Sequence, residues 1–233
     1  MRARNIGESF RFAASGLLEV LRRHAHARAQ FLLGSLVLIG GYAVGATPLQ
    51  MAALVAAVAL VILAETLNSA IEMAVNLASP EYSAMAKAAK DMAGAGVMVA
   101  STAAVAIGAL VFTHTRLVQR TLGATLPARS GYVEAVIVGV IVVILLVAVV
   151  KAKWGGGTLL EGGAASLHSG VAVFLAVAIW YLGASVASGI LGTILAGLVC
   201  QSRIQAGIHS IAEVIWGAGL ALVLGTGLFQ LLT

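Results

Sequence analysis

The sequence predicts an all-α, polytopic membrane protein, and three observations carry that expectation. Of its 233 residues, 61% are hydrophobic and only 10% charged, with a mean hydropathy of +1.03. A soluble domain is nearer half apolar and a quarter charged, so too few charges remain here to coat a water-facing surface. Apolar runs at about residues 31–47, 49–67, 92–113, 132–150, 169–184, 186–200 and 211–232 approach or reach the roughly 20 residues that cross about 30 Å of hydrocarbon. Ahead of the first run stand Arg2, Arg4, Arg11, Arg22, Arg23 and Arg28, the positive-inside pattern that holds an N-terminus in the cytoplasm. These arginines supply much of the net charge of +5, so the basicity points to a membrane surface and no nucleic-acid partner is expected. The same composition excludes a disordered chain and a soluble dinucleotide-binding enzyme. Cys200 is the one cysteine and forms no intrachain disulfide. The first 28 residues are amphipathic and lack an apolar stretch with a cleavage site, so no cleavable signal peptide is expected.

The elements follow in order. Over residues 8–22, Phe10, Ala13, Ala14, Leu17 and Leu21 share one helical face, and Glu8, Arg11, Ser15, Glu19 and Arg22 the opposite one. Such a helix lies in the headgroup region. Thr47-Pro48-Leu49-Gln50 is then an outer turn between two spans, and residues 76–91, with Lys87 and Lys90, return to the cytoplasm. Residues 114–131 hold the breakers Gly123, Pro127 and Gly131. The expected organisation is a first membrane domain over 1–115, a linker over 116–131 and a second membrane domain of about four spans over 132–233. Alternation places the linker outside, against the positive-inside trend of its Arg116, Arg120 and Arg129. The fifth and sixth runs are short, and their boundary falls within Ser185–Gly189.

Ionisable residues inside spans are costly and mark functional sites. The second span ends in Glu65, Asn68 and Glu72, whose i, i+3, i+7 spacing sets them on one helix face. Counting from Pro48, Glu65 falls about 26 Å along the helix, near the inner headgroup level. A carboxylate there can take a proton from a lipid hydroxyl, with Asn68 orienting it. Glu72, nearer water, can hold a divalent metal together with nucleotide phosphates, since Mg²⁺ prefers hard oxygen ligands and needs few from the protein. Lys90 and Asp91 open the next span across a short loop. The alternative is a solvated helix end with snorkelling side chains.

Glu65-Thr-Leu-Asn68-Ser-Ala-Ile-Glu72, followed by Ala86-Lys87-Ala-Ala-Lys90-Asp91-Met-Ala-Gly94-Ala, resembles the bacterial diacylglycerol kinase/undecaprenol kinase family over about residues 5–113. The resemblance implies three spans behind a surface helix, use of ATP and Mg²⁺, phosphorylation of a lipid hydroxyl, and a homotrimer with sites shared between protomers. It implies Glu65 as general base and Glu72 as metal ligand. Asn68, Glu81, Tyr82, Ser83, Lys90 and Asp91 are implied to bind the nucleotide. His24 stands where the family has a second metal-binding Glu; as a ligand it would favour Mn²⁺ or Zn²⁺, because Mg²⁺ disfavours nitrogen. The other reading of His24 and His26 is that of basic residues in an arginine-rich surface helix.

A second constellation lies in the C-terminal half. Ser202-Arg203, five residues, then His209 and Glu213 form one unit, with His209 and Glu213 at i, i+4. A carboxylate on one ring nitrogen makes the other nucleophilic, and an arginine fork fits phosphate oxygens. Two spans separate His168 from His209 and return the chain to the same face, where Ser166, Lys151 and Lys153 also lie. Two histidines, an arginine and a lysine suit metal-free hydrolysis of a phosphomonoester, one histidine attacking phosphorus and the other protonating the leaving oxygen. This half resembles the type 2 phosphatidic acid phosphatase superfamily over about residues 132–232. Ser202, Arg203, His209 and Glu213 match its third motif, and Ala165-Ser166-Leu167-His168 stands for Pro-Ser-Gly-His. Its first motif is poorly kept: Lys151 or Lys153 remains, and Glu161 stands where a basic residue is expected. The resemblance implies His168, His209 and Glu213 as catalytic, and Ser202, Arg203 and Lys153 as phosphate-binding.

The expected function is an ATP-dependent lipid kinase in a bacterial inner membrane, multi-pass and with a cytoplasmic N-terminus, acting on diacylglycerol or undecaprenol, with a weaker lipid-phosphate phosphatase in the second half. The alternatives are a phosphatase supported by a kinase-like domain, and a non-catalytic lipid-binding scaffold.

Overall fold

The computed structural model describes residues 5–115, 131–154, 159–183 and 185–231. Among these the chain forms eight helices and no strand. It divides into two units, Met1–Arg120 and Thr121–Thr233. The expected linker, residues 116–131, lies outside the described residues except for Gly131, as do its three arginines.

In the first unit, α1 spans Ile6–Arg23. Asn5 caps it by accepting from the Glu8 N–H (2.8 Å), and Glu8 in the first turn with Arg22 and Arg23 in the last complement the helix dipole. The helix ends at His24, whose extended backbone also starts α2, Ala25–Ala43. Arg28 clasps this break, its Nη1 donating to the carbonyls of Leu21 (3.0 Å) and Arg22 (3.2 Å). Thr47 and Gln50 make a reciprocal capping box behind Pro48 at the start of α3, Pro48–Ala78. No breaker interrupts this helix, so Glu65, Asn68 and Glu72 sit on one continuous rod. Ser83 caps α4, Ala84–Thr113, which packs back along α3 as a helical hairpin. Gly34 and Gly41 of α2 let its backbone close on Val58 and Leu54 of α3.

In the second unit, α5 spans Tyr132–Trp154, α6 Leu167–Leu182, α7 Val186–Gln205 and α8 Ile211–Gln230. Phe229 is fully buried and stacks with Tyr132, Phe174 and Tyr181 at centroid distances of 5.9, 5.9 and 5.5 Å. Val143, Val147, Val177 and Ala221 complete this core. The buried face of α8 repeats Gly217, Ala221 and Gly225 at every fourth position, a small-residue stripe that admits α6 closely. The boundary expected within Ser185–Gly189 begins at Ser185, the N-cap of α7, shortly after Gly183 ends α6 in the left-handed region at φ 64°.

Five of these helices, α3, α4, α5, α7 and α8, are long and apolar enough to cross a membrane, and α6 is a shorter apolar helix of 16 residues. The chain is thus a multi-pass membrane protein by length and composition, with large lipid-compatible side chains such as Leu32, Leu63, Val105 and Leu145 exposed. The seven spans read from the apolar runs are not all met. Run 31–47 belongs to α2, which begins at Ala25, so His26, Arg28 and Gln30 occupy its first turns and only Phe31–Ala43 is left as apolar helix, about 20 Å long.

Candidate functional site

The first cluster surrounds Glu65. Its side chain lies in the middle of α3 yet is only 6% exposed. Gln30 of α2 donates from Nε2 to Glu65 Oε2 at 3.1 Å. One turn beyond, Ser69 is 1% exposed, and Asn68 donates from Nδ2 to Glu72 Oε1 at 3.2 Å. Three atoms here are buried without a partner: Gln30 Oε1, Asn68 Oδ1 and Ser69 Oγ. Each such orphan costs about 1–3 kcal/mol, so polar atoms left unpaired in an apolar bundle point to a ligand rather than to stability.

Nearer the α3–α4 connection, Asn76, Ser79, Glu81, Tyr82, Ser83, Lys87 and Lys90 line an open cavity of about 290 Å³. Lys90 Nζ donates to Asn76 Oδ1 at 2.6 Å, bridging the two helices. Lys87 pairs with Asp91 at 2.6 Å, so Asp91 stands beside the cavity through its lysine partner. Ser83 Oγ accepts from the Ala86 N–H (3.4 Å), and Tyr82 is exposed. The first two turns of α4 bring Lys87 and Lys90 to one opening that Glu81 also lines, and the two cations at a helix N-terminus favour an anion there.

Among the described residues no group of three or more His, Cys, Asp or Glu side chains is placed to hold a metal ion. His24 is the residue at which α1 ends and α2 begins. Glu72 presents a carboxylate whose Oε1 accepts from Asn68 Nδ2, so the buried, unpartnered Asn68 Oδ1 is turned away from it. A carboxylate of this kind fits Mg²⁺, which takes few protein ligands and completes its shell with phosphate and water oxygens.

The second cluster gathers at one end of the second unit. His209, 4% exposed, precedes α8 and bonds through Nδ1 to Glu213 Oε2 at 2.7 Å. Its Nε2 faces the Leu160 carbonyl at 3.2 Å. Ser202 Oγ accepts from Arg203 Nε at 3.3 Å, and the Arg203 carbonyl accepts from the His209 N–H at 3.2 Å. His168 lies in the first turn of α6, near Arg203, His209 and Lys151, and its Nδ1 is buried without a partner. Ser166 caps α6 and ties this end to α8, its N–H donating to the Glu213 carbonyl at 2.8 Å. Lys151 is buried, with Nζ donating to the Leu159 carbonyl at 3.0 Å, whereas Lys153 is exposed and lies 4.6 Å from the ring centre of Trp154. The structure therefore brings His168, Arg203, His209 and Glu213 together, with Ser202 behind Arg203, and places Lys151 rather than Lys153 among them.

Sequence reasoning passed over Gln30 and Ser69. Gln30 carried a legible signal, an amide at the point where the arginine-rich segment gives way to an apolar run; Ser69 is i+4 from Glu65 and shares its face.

No curated protein and no solved structure matches the chain. A family model does: residues 11–112, from within α1 to the last turn of α4, are similar to the prokaryotic diacylglycerol kinases.

Proposed function

We propose that the first unit is an ATP-dependent lipid kinase that phosphorylates a membrane lipid alcohol of the diacylglycerol or undecaprenol type. The observation that carries this reading is the buried Glu65 carboxylate on one helix face with the Asn68–Glu72 pair, inside the segment similar to the prokaryotic diacylglycerol kinases. Glu65 accepts the proton of the lipid hydroxyl as that oxygen forms its bond to the γ-phosphorus of ATP. The bond from phosphorus to the bridging oxygen breaks, and ADP leaves. Glu72, its carboxylate braced by Asn68, would hold Mg²⁺, and that ion would supply neutralisation of charge on the phosphates. The cavity at the α3–α4 connection receives the nucleotide: Lys90, Ser83 and the first turn of α4 face its phosphates, Glu81 and Tyr82 flank it, and Asp91 fixes Lys87. The unit works as a homotrimer in a bacterial inner membrane with the N-terminus cytoplasmic, which its arginines and exposed apolar faces favour. Purified full-length chain given radiolabelled ATP, Mg²⁺ and each lipid tests the reading. Label appearing in neither lipid refutes it, and a monomer by native mass measurement refutes the trimer.

A second reading concerns residues 131–231, where His168, Arg203, His209, Glu213 and Lys151 suit binding and hydrolysis of a lipid phosphate without metal. Both ring nitrogens of His209 are engaged, so hydrolysis requires the Leu160 carbonyl to withdraw. Phosphate release from a lipid phosphate in the presence of a chelator, lost in His209→Ala, is the expected result.

A further inference from the structure

We propose that Gln30 is a positioning residue for the transfer step, holding the Glu65 carboxylate so that one of its oxygens faces the lipid hydroxyl. The inference rests on the kinase reading and deepens it.

Gln30 belongs to α2 and lies thirty-five residues from Glu65, yet its side-chain amide reaches that carboxylate at 3.1 Å. An ionised carboxylate only accepts hydrogen bonds, so the NH₂ side of the amide must face it. The amide oxygen is thereby turned away, and it is buried with no partner. An amide retained merely to join α2 to α3 is a poor device: it gains one bond and strands one acceptor in an apolar bundle. Methionine would fill the same space with neither group. The arrangement becomes intelligible if the bond to Glu65 is what the position is for. Carboxylate torsions of glutamate are broad, and Asn68, the nearest amide on the same face, is already given to Glu72. Gln30 is the donor that fixes Oε2 and leaves Oε1 for the incoming hydroxyl. A general base must lie within about 2.6–3.2 Å of its proton, and small misplacements of a reacting group lose large factors in rate. The buried Ser69 hydroxyl, also unpartnered, lies one turn from the carboxylate on the same face.

The test compares wild type, Gln30→Met, Glu65→Gln and the double variant as full-length chains, measuring kcat, the KM for ATP and the thermal unfolding midpoint. Gln30→Met should lower kcat about tenfold, the worth of one charge-assisted hydrogen bond. The KM for ATP should stay within about twofold and the midpoint should not fall. Because Gln30 acts through Glu65, adding Gln30→Met to Glu65→Gln should cost nothing further. An unchanged kcat in Gln30→Met, a matching rise in KM for ATP, or a further multiplicative loss in the double variant overturns the role of Gln30. A wild type that transfers phosphate to neither lipid removes the kinase reading and this inference with it.

Discussion

Replacing Gly217 by alanine should destabilise the second unit, and the geometry sets the size of the effect. Gly217 sits on the buried stripe of α8, where the backbone of Ser166 crosses it. A Cβ at 217 would run into the Ser166 carbonyl oxygen and stand 3.1 Å from both Ser166 N and Ser166 C. Comfortable carbon contacts lie at about 3.5–4.0 Å and the carbonyl oxygen is the nearest obstacle, so the two segments must part by about 1 Å or more. The obstacle is backbone, which no rotamer change relieves. It is pinned by the Ser166 N–H bond to the Glu213 carbonyl and by the cap Ser166 makes on α6. Gly170 adds to the restriction, since a Cβ there would already lie 3.2 Å from the Gly217 carbonyl oxygen. Overpacking of this kind costs about 1–3 kcal/mol, of which the better helix propensity of alanine returns up to about 1 kcal/mol. Gly219, on the same helix, has nothing within 4 Å of its would-be Cβ, so Gly219→Ala collects the propensity without the clash. The assay is thermal unfolding in detergent followed by tryptophan fluorescence. All three tryptophans, Trp154, Trp180 and Trp216, lie in the second unit, so the signal reports on it alone. Gly217→Ala should melt several degrees below wild type, and Gly219→Ala at or above it. Equal midpoints for the two variants would refute the close-crossing argument.

Other expectations follow from the two polar clusters. Glu65→Gln should lower kinase turnover at least about a hundredfold, the usual worth of a positioned base, with nucleotide binding measured separately and largely kept; near-wild-type turnover would contradict the assignment. Glu72→Gln should instead raise the KM for metal–ATP, checked by steady-state titration. If His24 is a metal ligand, Mn²⁺ or Zn²⁺ should support the wild type better relative to Mg²⁺ than they support His24→Glu; identical metal profiles would show that it is not. His209→Ala should abolish any metal-free hydrolysis of lipid phosphate, whereas Lys153→Ala should leave it unaltered, because Lys153 faces away over Trp154.

Much of the fold was legible because membrane helices advertise themselves through composition and their ends through local chemistry. The stretch Thr47–Gln50, expected as an outer turn, is instead the cap and first turn of α3, while the i, i+3, i+7 spacing placed Glu65, Asn68 and Glu72 on one face before any tertiary contact was known. The span count was less legible, since an apolar run such as 31–47 says nothing of where its helix begins. α2 starts six residues earlier, in polar sequence, because His24 ends α1 there. The long-range contacts were not legible at all. Nothing local in Gln30 names Glu65 as its partner. Nothing local separates Lys151 from Lys153 either: they lie two residues apart on one helix, hence on different faces, and the Leu159 carbonyl captures one of them.

The lengths of α3 and α4 have a consequence for what the proposed kinase leaves untouched. At 31 and 30 residues the two helices run about 46 and 45 Å, against about 30 Å of hydrocarbon. Both therefore outreach the bilayer, and about 10 Å of helix axis separates Glu65 from Glu72. In the proposed kinase the hairpin would act as a ruler, with the proposed nucleotide cavity at its tip and Glu65 set back along the shaft. Water is plentiful at the tip and scarce around a carboxylate that is only 6% exposed. In the proposed kinase a base at that depth would serve only a hydroxyl that arrives through the lipid, and depth would spare ATP from idle hydrolysis.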